Sequence, residues 1–228
     1  MGKEIEKLAL ERKHNVILRI DENNIKSITK DNFKEVDVVV EFSTPENAFN
    51  NINLCLDSNV PVVSGTTGWL DKLDKIINRC KTGDKTFFYA SNYSVGVNIL
   101  FKLNNYLAQI MDKFPDYNVE IEETHHTQKL DAPSGTAITL AEGIIDNNKR
   151  VENWDKEKFN SETSMPIKSF REGSVSGNHK IIYESSFDKI SIEHDAKSRK
   201  GFALGAILAA EFIIGKKGYF TMNDILNI

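Results

Sequence analysis

Three short runs, Glu35-Val-Asp-Val-Val-Val-Glu-Phe42, Val60-Pro-Val-Val-Ser64 and Thr86-Phe-Phe-Tyr-Ala90, are separated by two helical stretches and short loops. Their apolar residues stand at consecutive positions, which marks strands buried on both faces, as in a parallel sheet. Parallel neighbours need a crossover between them, so this alternation points the first part of the chain to a doubly wound parallel sheet. Ser43-Thr44-Pro45-Glu46 opens one helix with a hydroxyl cap and a proline in the first turn, running to about residue 58. A polar helix is expected at about 71–80. Ahead of these, residues 3–13 form an amphipathic pattern with Ile5, Leu8 and Ala9 at helical spacing, and 15–20 read as a strand ending in a turn at 21–24.

The rhythm changes after Asn92. A long helix is expected at 96–111, an alternating strand at 118–126 and a second helix from Ser134. Segments 167–173, 177–187 and 188–194 have antiparallel character, with alternating polar and apolar residues and glycine turns. Residues 150–162 are polar without a period and read as a surface loop.

Composition excludes several classes. With 29 basic and 33 acidic residues the net charge is −4, so no electrostatic footprint for nucleic acid is visible. The most apolar stretch, 202–215, is 14 residues long and broken by Glu211, whereas a membrane span needs about 20, so it reads as a buried helix. The first residues lack a secretory signal, and Cys55 and Cys80 lack metal or redox spacing. A cytoplasmic, reduced setting with no membrane partner is the expectation.

An open parallel sheet binds ligands at the carboxyl ends of its strands. Ser43-Thr44-Pro45, Gly65-Thr66-Thr67-Gly68 and Ala90-Ser91-Asn92-Tyr93-Ser94 sit there, offering amides, hydroxyls and little bulk. One such turn alone is more often an ordinary connection. Three at corresponding positions suit a nucleotide cofactor. A dinucleotide fold should open with a strand and a Gly-x-Gly-x-x-Gly turn, yet this chain begins at Met1-Gly2 and enters a helix. Asp21 lies 19 residues after Gly2, close to the interval of roughly 20 for an acid that binds the ribose. Because a parallel sheet without its first strand would expose unpaired edges, a truncated or misassigned start is expected rather than a fold that never had the strand.

The densest chemistry is Glu120-Ile-Glu-Glu-Thr-His125-His126-Thr-Gln-Lys129-Leu-Asp131-Ala-Pro133-Ser134-Gly135-Thr136-Ala137. On a strand, His125 and His126 point to opposite faces, which makes them poor partners for one metal, and no metal site is expected. Taken singly, each is more often a surface or core residue. An acid, the cation Lys129 and a helix N-terminus at Ser134-Gly135-Thr136 within 12 residues suit proton donation and the binding of an anionic small molecule. His14, His179 and His194 have no such company and read as structural.

Residues 120–137 resemble the signature of the dihydrodipicolinate reductase family, E-[IV]-x-E-x-H-x3-K-x-D-x-P-S-G-T-A, at every specified position. The resemblance extends to 42–45, 63–69, 90–97 and 194–203. It implies a Rossmann-like dinucleotide-binding domain (1–94 and 205–228), here without its first strand, and an α+β substrate and oligomerisation domain (95–204) with a mixed or antiparallel sheet. It further implies a homotetramer that reduces a small cyclic dicarboxylate, made from pyruvate and aspartate semialdehyde, with NADH or NADPH. By motif, His125 would be the general acid or base and Lys129 its proton-donating or electrostatic partner, while His126, Gly135 and Thr136 would bind substrate carboxylate. Gly65, Thr66, Thr67, Ala90, Ser91, Asn92 and Tyr93 would contact the cofactor, with Ser43 beside them, Asp21 at the ribose and Arg199 nearby. Met1-Gly2 resembles the end of the family's glycine-rich loop. Asp21-Glu22 favours NADH over a 2′-phosphate, partly offset by Lys26, so NADH preference or dual use is expected. The rivals are a related nicotinamide-dependent amino-acid dehydrogenase and a non-catalytic remnant that binds ligand or oligomerises.

Overall fold

The valine and phenylalanine runs form a four-stranded, all-parallel sheet in the computed structural model, which describes residues 1–156, 158 and 161–227. In chain order this unit contains α1 (Gly2–Glu11), β1 (Val39–Glu41), α2 (Pro45–Asp57), β2 (Val62–Ser64), α3 (Leu73–Thr82) and β3 (Thr86–Tyr89). The intervening unit holds α4 (Val95–Met111), β4 (Asn118–His125), α5 (Gly135–Asn147), β5 (Asn153–Lys156), β6 (Ser164–Arg171), β7 (Asn178–Glu184) and β8 (Lys189–Asp195). The chain then returns through α6 (Lys200–Ile213), β9 (Gly218–Phe220) and α7 (Met222–Leu226) to complete the first unit. The two units are Met1–Val95 with Lys200–Ile228, and Gly96–Arg199.

The first unit's sheet has the order β1-β2-β3-β9. Consecutive residues of its strands go to opposite cores, which is why the runs are apolar without alternation. Val63 and Phe88 pack with Ala203, Ala206 and Ile207 of α6, on which α1 lies. Val62 and Phe87 pack with Ile52 and Leu56 of α2, Ile76 of α3 and Trp69. Burying one such phenylalanine contributes about 1.5–3 kcal/mol. α6 approaches β3's exit so closely that a Cβ on Gly205 would stand 1.7 Å from the Tyr93 carbonyl oxygen. Cys55 and Cys80 are buried free thiols, which burial pushes up to about 12 and about 11. Among the described residues no helix is long and apolar enough to cross a membrane.

Residues 15–20, expected as a strand, belong to no sheet. β1 pairs with β2 alone, and 15–20 makes no ladder with its open side, because β-branched propensity does not by itself bring a segment into register with a neighbour; Arg19 instead pairs with Glu6 of α1.

In the second unit a mixed sheet has the order β5-β6-β4-β7-β8. β7 is antiparallel to both neighbours, but β6 is parallel to β4 and β5, against the antiparallel expectation for 167–173. The reason lies in the connection: α5 and β5 intervene between β4 and β6, and a long crossover permits parallel pairing. The expected loop 150–162 contains β5, paired to β6; residues 157, 159 and 160 of it lie outside the described residues. Ile121, Ile167, Ile181 and Tyr183 bury one face of this sheet with Leu100 and Ala108 of α4 and Leu140 and Ile144 of α5.

Candidate active site

Along β4 the inward positions are Val119, Ile121, Glu123 and His125, in strict alternation. The strand's period of two therefore carries an apolar core face onto a carboxylate and an imidazole at its end. Register does the rest. Glu123 lies opposite His179 of β7, and His125 opposite Arg171 of β6. Glu123 is fully buried; its Oε1 accepts from Nη1 and Nη2 of Arg171, both at 3.0 Å, and its Oε2 pairs with His125 Nδ1. The His125 ring meets His179 edge-on, centroids 5.1 Å apart. His179 Nε2 is 3.1 Å from the hydroxyl of Ser134, which caps α5 by accepting from the Ala137 amide.

Burial alone would raise Glu123, but the hydrogen bonds of His125, Ser169 and Arg171 win and bring its carboxyl down to about 2. Burial lowers His179 to about 4, helped by the positive fields of His125, His194 and Lys129 against Glu123. At neutral pH the cluster thus holds a carboxylate, a guanidinium and a neutral His179. On the Nε2 side of His125, Gly177 (φ 152°) supplies the space: a Cβ there would stand 3.1 Å from that nitrogen.

Lys129 lies on the loop between β4 and α5, with Nζ 2.8 Å from both oxygens of Asp131, whose carboxyl is lowered chiefly by that bond. Arg171 reaches the same loop, donating to the carbonyls of Lys129 (3.3 Å) and Asp131 (2.6 Å). His126 is half-buried just past the strand, and Gly135 opens α5 with nothing within 4 Å of where a Cβ would be; Thr136 follows it. The structure therefore brings His125, Lys129 and the start of α5 around one group of buried charges. Helix starts favour anions through their amides and dipole. Glu123, His125 and His179 could each turn one atom to a metal, all within 4.8 Å of one another. In this structure Arg171 holds the same carboxylate and Ser134 contacts His179 Nε2.

At the carboxyl ends of β1–β3 in the other unit, Glu41 is buried and accepts from Ser64 Oγ (2.6 Å), Thr66 Oγ1 (3.1 Å), the Ser43 amide (3.0 Å) and Ser43 Oγ. Tyr93 is buried with its hydroxyl on the Ser64 carbonyl (2.7 Å), and burial drives that phenol well up. Asn92 Oδ1 accepts from the Ser94 amide. Ser43, Thr67 and Ser91 stay exposed, Ala90 is buried, and Gly65 lies against Phe42, whose ring a Cβ would meet at 2.2 Å. Met1, Asp21 and Arg199 are exposed and take no part in the group around Glu41; Asp21 accepts from the Asn23 amide.

Sequence reading gave Glu123 no role, although it stands two residues from His125 and so shares its strand face. His179, expected to be structural only, stands inside the cluster. Neither it nor Arg171 could be found locally, since they arrive from strands 45 and 48 residues from their partners.

Family models described as "Dihydrodipicolinate reductase, N-terminus" and "Dihydrodipicolinate reductase, C-terminus" match residues 1–93 and 96–226. The chain is 49% identical over 227 residues to a 4-hydroxy-tetrahydrodipicolinate reductase of Christiangramia forsetii, covering 100% of this chain and 94% of that protein. It is 37% identical to the one of Lawsonia intracellularis, covering 83% and 76%. Its fold resembles a solved dipicolinate-bound dihydrodipicolinate reductase from Paenisporosarcina sp. TG-14, with TM-score 0.78, 23% identity and coverage of 98% and 94%.

Proposed function

The chain belongs to the dihydrodipicolinate reductase family, and from that premise we infer that it is an NAD(P)H-dependent 4-hydroxy-tetrahydrodipicolinate reductase of lysine and diaminopimelate biosynthesis. The observation that carries the chemistry is the buried Glu123–His125 pair, which engages Nδ1 and leaves Nε2, beside Gly177, as the nitrogen for proton transfer. A nicotinamide cofactor, when bound, would supply the hydride. His125 supplies the proton that accompanies it, a task for which an imidazole is suited. Lys129, His126 and the start of α5 at Gly135 and Thr136 hold the carboxylates of the ring and orient it.

The loops after β1–β3 fit a nucleotide: they are short, contain Gly65, Gly68 and Ala90, and keep Ser43, Thr67 and Ser91 as exposed residues. Thr66, Asn92 and Tyr93 shape these loops, and Met1, Asp21 and Arg199 are assigned to the cofactor by motif. The unit containing these loops is the dinucleotide-binding domain and the other the substrate domain. The same family reading makes the enzyme a cytoplasmic homotetramer, with NADH preferred because Asp21-Glu22 repels a 2′-phosphate.

The test is oxidation of NADH and NADPH in the presence of the cyclic product of pyruvate and aspartate semialdehyde. Turnover with a lower KM for NADH is expected, and His125→Ala and Lys129→Ala should each lower kcat about 10²-fold or more while cofactor affinity stays. Either variant within a few-fold of the parent removes the role assigned to it.

A further inference from the structure

We propose that Glu123 and Arg171 act as one positioning unit for both charged groups of the proposed active site, Glu123 governing the proton of His125 and Arg171 the loop that carries Lys129. This deepens the reading above and rests on it. Glu123 is fully buried, so its charge has no water to lean on and must be met by protein. Arg171 meets Oε1 with two donors at 3.0 Å, which leaves Oε2 for His125 Nδ1. An anion at Nδ1 keeps a proton on that nitrogen in the neutral ring. Nε2 is then the position that gives up and regains the exchangeable proton, and it faces Gly177, where a Cβ would stand 3.1 Å away.

The charges facing the ring make Glu123 decisive. Arg171 on β6 is cationic, as is Lys129 on its loop beside Asp131; His194 on β8 adds positive field when protonated, and His179 on β7 is neutral. Among these groups Glu123 is the anion in direct contact with the ring, at Nδ1.

The other arm is geometric. Besides Glu123, Arg171 donates to the carbonyls of Lys129 (3.3 Å) and Asp131 (2.6 Å) on that loop and to the Phe170 carbonyl (2.6 Å) on its own strand. The Lys129 backbone is thereby referred to the same carboxylate that holds His125. Only a planar fork with several donors can serve all these acceptors together.

The experiment is the pH profile of kcat/KM for the parent, Glu123→Gln, Glu123→Asp and Arg171→Lys, with His125→Ala as control. The alkaline limb marks loss of the acid's proton. In Glu123→Gln it should move to lower pH by about 1–2 units, while Glu123→Asp keeps the limb near its parental place at reduced kcat. Arg171→Lys should lower kcat about tenfold with the limb unmoved. A Glu123→Gln profile that is merely scaled down overturns the role of Glu123, and a parental kcat in Arg171→Lys overturns that of Arg171. Should Glu123→Gln not fold, nitrogen NMR of the parent decides: a neutral His125 protonated on Nδ1 supports the proposal and one protonated on Nε2 overturns it. An active His125→Ala would instead overturn the role of His125 itself, and the NMR result stands apart from that.

Discussion

Each unit buries a glutamate near the carboxyl end of a strand, and the two carboxylates are satisfied by opposite kinds of partner. Glu41 ends β1 and is met by neutral donors: three hydroxyls and an amide. Glu123 in β4 is met by a guanidinium and an imidazole. Neutral donors let an anion gather loops, since they return geometry without a second charge. Charged partners couple the anion to protonation, so the group that results responds to pH and can move a proton. The fold thus has a glutamate that shapes the turns assigned to the cofactor and another that electrically tunes the site assigned to the substrate.

The sharpest way to break this contrast is to delete each carboxylate. Glu123→Ala leaves the half-buried Arg171 guanidinium without its anion and should destabilise the protein by about 3 kcal/mol, the lower end for a broken buried pair, in urea unfolding. Glu41→Ala leaves hydroxyls that can find other acceptors and should cost about 1–3 kcal/mol. Equal losses would erase the distinction.

Acid titration sharpens it next. His179 is depressed to about 4 from a usual 6.5. The unfolded chain therefore binds the proton first, and stability should fall as pH drops from about 6.5 to 4. Glu123 is depressed to about 2 from 4.5, so its contribution is present above pH 4.5 and is lost between 4.5 and about 2. Each step should amount to about 3 kcal/mol, measured by denaturant unfolding at a series of pH values. His179→Gln should flatten the upper step and Glu123→Gln the lower. Glu41→Gln should leave both steps in place, and a Glu41→Gln variant lacking either step would contradict the assignment.

The smallest effect is expected at the neutral site. In Gly65→Ala the new methyl must push the half-buried Phe42 ring aside, since it would otherwise stand 2.2 Å away. The turn should shift by tenths of an ångström and cofactor affinity fall about tenfold, roughly 1.4 kcal/mol, with kcat nearly kept. Titration of NADH by fluorescence checks it; unchanged affinity would separate this turn from the cofactor.

Much of this was legible in the chain. The parallel sheet followed from Val62-Val63 and Phe87-Phe88, because neighbours that are both apolar need a core on each side. The cap at Ser134 and the sharing of one strand face by Glu123 and His125 also follow from short-range rules. The strand expected at 15–20 failed because a strand's hydrogen bonds belong to its neighbour, and propensity says nothing about whether one is there. His179 passed for a bystander for a similar reason: its company is assembled by register across β4, β7 and the start of α5.

By itself the sequence determined the alternation of strands and helices, the helix starts and the contiguous run that carries His125, Lys129 and Ser134. All of these depend on periodicities and caps that act over a few residues. Only the tertiary structure decided that β6 runs parallel to β4, that Arg171 and His179 close on Glu123 and His125, and that Glu41 draws three hydroxyls to itself. A buried charge must find its partner wherever folding brings one, and here Arg171 comes to Glu123 from 48 residues along the chain.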